Sequence, residues 1–355
     1  MTHPYSGAAP HRLWRKSVSA LGSGTDPVVD FPFRISRDDK VVAAGSCFAQ
    51  HISGRLRANG YDFLVTEPPH PLLPPEIAQA YNYGRFSARY GNIYTARQLL
   101  QLLRRVYGRF SPLEDVWFND EEALIDPFRP QIQPGGFASL EEYRCDRDQH
   151  FSAVRRAIES MDVLIFTLGL TECWEHRVDG AVFPVCPGTA GGCFNPSTHS
   201  FRNQDVAEVV SDLTSFLQEL SEVNARARII LTVSPVPLVA TAEDQHVLLA
   251  TVYSKSVLRV AAETVARRVT GVAYFPSYEI ITGPQARGAY FADDLRSVTE
   301  AGVDRVMNLF FDHVAEGQSS SDPTLSGVSR DDHYTIHARE VIDALCDEFA
   351  LDAQD

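Results

Sequence analysis

Three runs in this chain, Lys40-Val41-Val42-Ala43-Ala44, Val163-Leu164-Ile165-Phe166 and Arg228-Ile229-Ile230-Leu231-Thr232-Val233, are apolar at almost every position. A strand with one face in water alternates apolar and polar residues, so a continuously apolar strand must be covered on both faces. Shorter β-type runs stand near residues 63–65 and 272–275. Between the runs, apolar residues recur at helical spacing over 48–59, 95–103, 140–160, 205–223 and 246–269, and Thr299 caps a last helix through Val314. Strands alternating with helices predict an α/β fold, a three-layer α/β/α sandwich around a mostly parallel sheet.

We expect one such domain over 39–315, with residues 1–38 as an extension anchored by Trp14 and Phe31-Pro32-Phe33. Residues 67–138, rich in proline, tyrosine and charge, read as an insertion over the carboxyl ends of the strands, where these folds place their sites. The glycine- and proline-rich stretch 180–200 reads as loop, and residues 316–330 as a linker before a C-terminal helix over 338–349.

The formal charge of −14, from 46 acidic and 32 basic residues, repels polyanions and excludes nucleic acid as an expected partner. No apolar stretch is long enough to span a bilayer and the N-terminus has no signal-like h-region, so the expectation is a cytoplasmic protein with no membrane partner. Six cysteines spread along such a chain read as reduced thiols.

The first strand ends in Gly45-Ser46-Cys47-Phe48-Ala49, a strand-to-helix turn. A serine there holds its hydroxyl exposed, and amides of the turn and helix N-terminus can face an oxyanion. The same serine would also serve as a plain helix cap, and spacing alone does not separate the two roles. Cys47 sits at the helix N-terminus, which lowers a thiol pKa, but its side chain is expected to turn into the core.

That pentapeptide, with Tyr81-Asn82-Tyr83-Gly84, Gly91-Asn92-Ile93-Tyr94, Thr167-Leu168-Gly169-Leu170-Thr171-Glu172, Ser234-Pro235-Val236-Pro237, Tyr253-Ser254-Lys255-Ser256 and Tyr274-Phe275-Pro276-Ser277-Tyr278-Glu279, resembles the GSCFA branch of the SGNH/GDSL esterase-like proteins over residues 38–315. The resemblance implies Ser46 as nucleophile. It implies an oxyanion hole from the amides after Ser46, from Gly84 with Asn82 as the alternative, and from the Gly169-Leu170-Thr171-Glu172 segment. Where many SGNH proteins carry Gly-x-Asn-Asp this chain has Thr171-Glu172, leaving Thr171 as the side-chain donor and Glu172 as a loop anchor.

The family pattern also implies Asp-x-x-His before the last helix. Here Asp293-Asp294-Leu295-Arg296-Ser297 puts serine three residues after Asp294 and arginine three after Asp293, so no imidazole stands there. A serine hydroxyl without a base is a weak nucleophile at neutral pH. Among eleven histidines His246 ranks first as a replacement, with Glu243 three residues before it to orient the ring; His333 and His337 follow. Arg296 has two readings, an ion pair with its acidic neighbours or a bidentate grip on a substrate anion.

Cys173, His176, Cys186, Cys193 and His199 match no compact zinc spacing, and Pro187-Gly188-Thr189-Ala190-Gly191-Gly192 lacks the end of a P-loop, so neither metal nor cofactor is expected. Trp174, Phe183 and Phe194 read either as an apolar or sugar-stacking wall or as core plugs. The expected function is a serine hydrolase or acyltransferase acting on an acyl group of a small molecule or carbohydrate. Its rival is a binding protein that has kept the serine turn and lost turnover.

Overall fold

The computed structural model describes residues 3–316. Its elements in chain order begin with α1 (Trp14–Leu21), β1 (Val41–Gly45), α2 (Phe48–Ala58), α3 (Pro75–Ala80) and α4 (Ala96–Val106). A short hairpin of β2 (Trp117–Phe118) and β3 (Leu124–Ile125) precedes α5 (Leu140–Ser160), β4 (Val163–Leu168), β5 (Glu172–His176), β6 (Val182–Phe183) and β7 (His199–Asn203). The rest is α6 (Val206–Val223), β8 (Arg228–Val233), α7 (Val247–Arg268), β9 (Val272–Tyr274), α8 (Ser277–Thr282) and α9 (Glu300–His313).

The central sheet runs β1-β4-β8-β9 with every pair parallel. Its residues divide by parity, as a pleat requires. Val42, Ala44, Leu164, Phe166, Ile229 and Leu231 face one core with the apolar stripes of α4, α5, α6 and α7. Val41, Ala43, Val163, Ile165 and Ile230 face the other, against α2, α8 and α9. Helices on both faces of a parallel sheet make the expected three-layer α/β/α fold. The helix starts are built locally: Thr95 with Gln98, and Asp205 with Glu208, form reciprocal capping boxes, while Ser139 and Thr299 cap α5 and α9.

Several expectations are corrected in detail. The run at 63–65 makes only a bridge, Val41 with Phe63, at the outer edge of β1. Residues 1–38 contain a helix, α1, with no buried residue, and Trp14 is 63% exposed and anchors nothing, whereas Phe31 and Phe33 pack against the second core. The stretch 180–200 is not all loop: β6 and the start of β7 pair antiparallel with β5 in a second, three-stranded sheet. Within 67–138, α4 is a core helix, burying Leu99, Leu100 and Leu103. The linker from residue 317 onward, the helix at 338–349, His333 and His337 lie outside the described residues.

Candidate functional site: the Ser46 turn

At the carboxyl end of β1 the chain passes tightly against β4. Gly45 has φ 137°, and a Cβ there would stand 2.4 Å from the Thr167 carbonyl oxygen, so only glycine fits. The Ser46 amide then donates to that same oxygen at 3.2 Å, and the amides of Ala49 and Gln50 close onto the carbonyls of Ser46 and Cys47 to start α2. Ser46 is 3% exposed, and its hydroxyl oxygen is buried with no hydrogen-bond partner. Polar atoms so placed are uncommon in folded proteins, and a strained, catalytic or ligand-binding role is among the reasons for them. Cys47 is buried.

Two loops close around this turn. The amide of Ile93 donates to Gly45 O at 2.9 Å, and the Tyr94 carbonyl accepts from the amides of Gly169 (2.9 Å) and Leu170 (3.1 Å). Gly169 passes so near that a Cβ on it would stand 3.1 Å from Ser46 Cβ and 3.1 Å from Tyr94 Cδ1. Helix α7 fixes this loop from beneath. Lys255 Nζ, on a side chain only 1% exposed, donates to Gly169 O at 2.7 Å, and Ser254 Oγ accepts from the Thr171 amide at 3.0 Å. A charge-assisted bond in such a dry setting is among the stronger single contacts.

Thr171 and Glu172 face other partners. Thr171 is fully buried and gives its hydroxyl proton to Asn203 Oδ1 at 2.7 Å, so that proton is committed away from an oxyanion. The Glu172 carboxylate accepts from Thr241 Oγ1 (2.6 Å) and the Ala242 amide (3.2 Å), tying β5 to the loop before α7. Burial raises its pKa above the ordinary value, and the nearby Glu243 charge adds to this against those two bonds. Gly84 presents its carbonyl to Arg57 Nη2 at 2.6 Å, and Asn82, at φ 61°, donates from Nδ2 to Gln131 O at 2.9 Å.

His246 is exposed at the N-cap of α7, where its Nδ1 accepts from the Leu248 amide at 3.1 Å. Glu243 accepts instead from Asn203 Nδ2 at 3.1 Å. The imidazole and the carboxylate are thus held by different groups. Asp294 organises an exposed turn: its Oδ1 accepts from the amides of Arg296 and Ser297, both at 2.9 Å, and its Oδ2 from Ser297 Oγ at 2.5 Å. Burial works against its ionisation, but these bonds and the Arg296 charge hold the carboxyl below the usual range. Asp293 is exposed and Arg296 half-buried in the same turn.

The cysteine and histidine set does not converge. His176 bonds Asp179 at 3.0 Å, His199 bonds Glu114 at 2.8 Å, and burial pushes Cys173 up to about 12 and Cys186 to about 11. Among the described residues no three His, Cys, Asp or Glu side chains group as metal ligands, and no helix is long and apolar enough to cross a membrane. Phe183 is a core plug against Trp117, while Trp174 stands half-buried, edge-on to Phe194.

A family model, the GSCFA family, matches residues 40–310. This chain belongs to the GSCFA family. The matched span begins just before β1 and ends within α9, so it contains the whole central sheet and the Ser46 turn. No curated protein matches the chain significantly.

Sequence reasoning passed over Lys255, Ser254 and Tyr94 as parts of this site. Lys255 carried a readable signal, because a lysine within the apolar face of a helix needs a buried acceptor. Tyr94 carried none, since it acts through its carbonyl. His51, five residues after Ser46 in the first turn of α2, was also unremarked; burial, with the Arg55 charge adding, lowers its pKa to about 4.

Proposed function

We propose that this GSCFA protein is a serine-dependent enzyme of acyl chemistry, a hydrolase or acyltransferase of the SGNH type. The observation that carries the reading is the Ser46 hydroxyl, buried without a partner on a glycine-enforced turn and walled by the Gly169 loop. In the proposed step Ser46 Oγ bonds to the acyl carbonyl carbon as its proton passes to a base, with His246 the first candidate. Backbone amides about the turn stabilise the oxyanion. The leaving alcohol or amine departs with a proton, and water or a second nucleophile then takes the acyl group from Ser46.

A second reading is favoured by one specific observation: Ser297 stands where the family pattern has histidine and is bonded to Asp294. On that reading the protein binds an acyl ligand and turns nothing over. A fluorophosphonate, compared on wild type, Ser46→Ala and His246→Ala by intact mass, separates the two. The enzyme reading expects labelling of the wild type that disappears in Ser46→Ala and falls about hundredfold or more in His246→Ala. No labelling of the wild type would leave the binding protein.

A further inference from the structure

A cleft opens directly after Gly169 in the chain. It has a volume of about 250 Å³ and lies between the face of β5 and the loop before α7, with Leu170, Trp174, Val185, Phe201 and Leu238 among its walls. Its first wall residue, Leu170, is covalently next to the glycine that abuts Ser46. The cleft thus begins one residue along the chain from the loop that walls the Ser46 turn.

Glu172, Thr241, Thr189 and Cys186 on the walls are already engaged within them. Glu172 accepts from Thr241 Oγ1 and the Ala242 amide, Thr189 Oγ1 donates to Cys186 O at 2.7 Å, and Cys186 Sγ donates to Pro187 O at 3.5 Å. A sugar ring needs several open hydrogen-bonding groups to replace its water, and a polar ligand that loses water without new bonds is penalised. An alkyl chain needs only apolar wall.

We infer that this cleft receives the apolar chain of the acyl group whose carbonyl is presented to Ser46, so that the substrate class is an alkyl acyl ester or thioester rather than an acetylated sugar. The inference rests on the serine reading above and names its substrate. The cleft sets chain-length preference: each methylene that reaches the walls strengthens binding roughly fourfold until the space is full.

The test keeps the two readings apart by using two measurements. Wild-type full-length protein is labelled with methyl and octyl fluorophosphonates, and octanoate, butanoate and glucose are titrated into Ser46→Ala while tryptophan fluorescence is followed, with Trp174→Phe assigning the signal. We expect the octyl probe to label at least about tenfold faster, and octanoate to bind about tenfold or more tighter than butanoate with a signal lost in Trp174→Phe. Leu238→Phe, which narrows the cleft, should erase the octyl advantage. Methyl labelling of Ser46 with no octyl preference and no octanoate binding overturns the inference while the serine reading stands. Octanoate binding at Trp174 with no labelling by either probe leaves the apolar cleft standing and removes the serine chemistry. A Trp174 response to glucose and none to octanoate overturns the inference in favour of a sugar.

Discussion

The turn that carries Ser46 and the turn that carries Ser297 both present a serine beside a helix layer, and they are held in opposite ways. Around Ser46 the backbone is locked from outside: Gly45 against Thr167, Ile93 onto Gly45, Tyr94 onto Gly169, and Lys255 reaching up from α7. Its hydroxyl is left with nothing to bond. The 291–298 turn closes on itself. Asp294 takes the Ser297 hydroxyl and two amides, Leu295 stands at φ 55°, and Phe291 bridges Val298. A hydroxyl withheld from bonding is available for chemistry, and one bonded to its own loop is structural. The turn expected to carry a nucleophile is therefore built into the core, while the segment expected to carry its base is a self-contained turn.

The strongest way to break this contrast is Gly45→Ala. A Cβ 2.4 Å from a carbonyl oxygen, at a φ of 137°, forces β1 and β4 apart, and we expect a loss of about 3 kcal/mol or more in urea unfolding. A tolerated substitution would mean that the turn is not locked by the sheet. Next in size is Ser297→His, which restores Asp-x-x-His around Asp294. If the turn is aimed at Ser46, fluorophosphonate labelling should rise about hundredfold; an unchanged rate would show that the base lies elsewhere.

Lys255→Met addresses the support beneath the Gly169 loop. It leaves Gly169 O without its charged donor, and a stability loss of about 2 kcal/mol is expected in chemical denaturation, with slower labelling of Ser46. The smallest effect concerns pH. His51 resists protonation in the folded chain down to about 4, whereas the unfolded chain takes up a proton near the ordinary 6.5. Stability present at neutral pH should thus decline as pH falls from about 6.5 to about 4. His51→Gln should flatten that part of a urea-midpoint profile; an equally steep profile in the variant would assign the decline to other groups.

How far the sequence could be read follows from where each signal resides. β1, β4 and β8 were legible because strands buried on both faces write an unbroken apolar run, and the cap at Thr299 was legible because capping is local. The β5-β6-β7 sheet was not. Glu172-Cys173-Trp174-Glu175-His176 and His199-Ser200-Phe201-Arg202-Asn203 carry little strand signal, and their pairing holds them extended. The Ser46 turn could be placed from its motif, but not the backbone bonds that Ile93 makes to Gly45 and that Tyr94 accepts from Gly169.

The sequence by itself determined the alternation of strand and helix, the parallel three-layer fold, the position of Ser46 and the lack of histidine three residues after Asp294. Those properties depend on residue type and near-neighbour spacing. Only the tertiary structure decided that the Ser46 hydroxyl is unpartnered, that Thr171 spends its proton on Asn203, that Lys255 supports Gly169, and that an apolar cleft opens beside it. Each of these joins residues far apart in the chain, and backbone carbonyls supply much of the bonding; a carbonyl is the same in every residue, so no sequence pattern marks which one will be used.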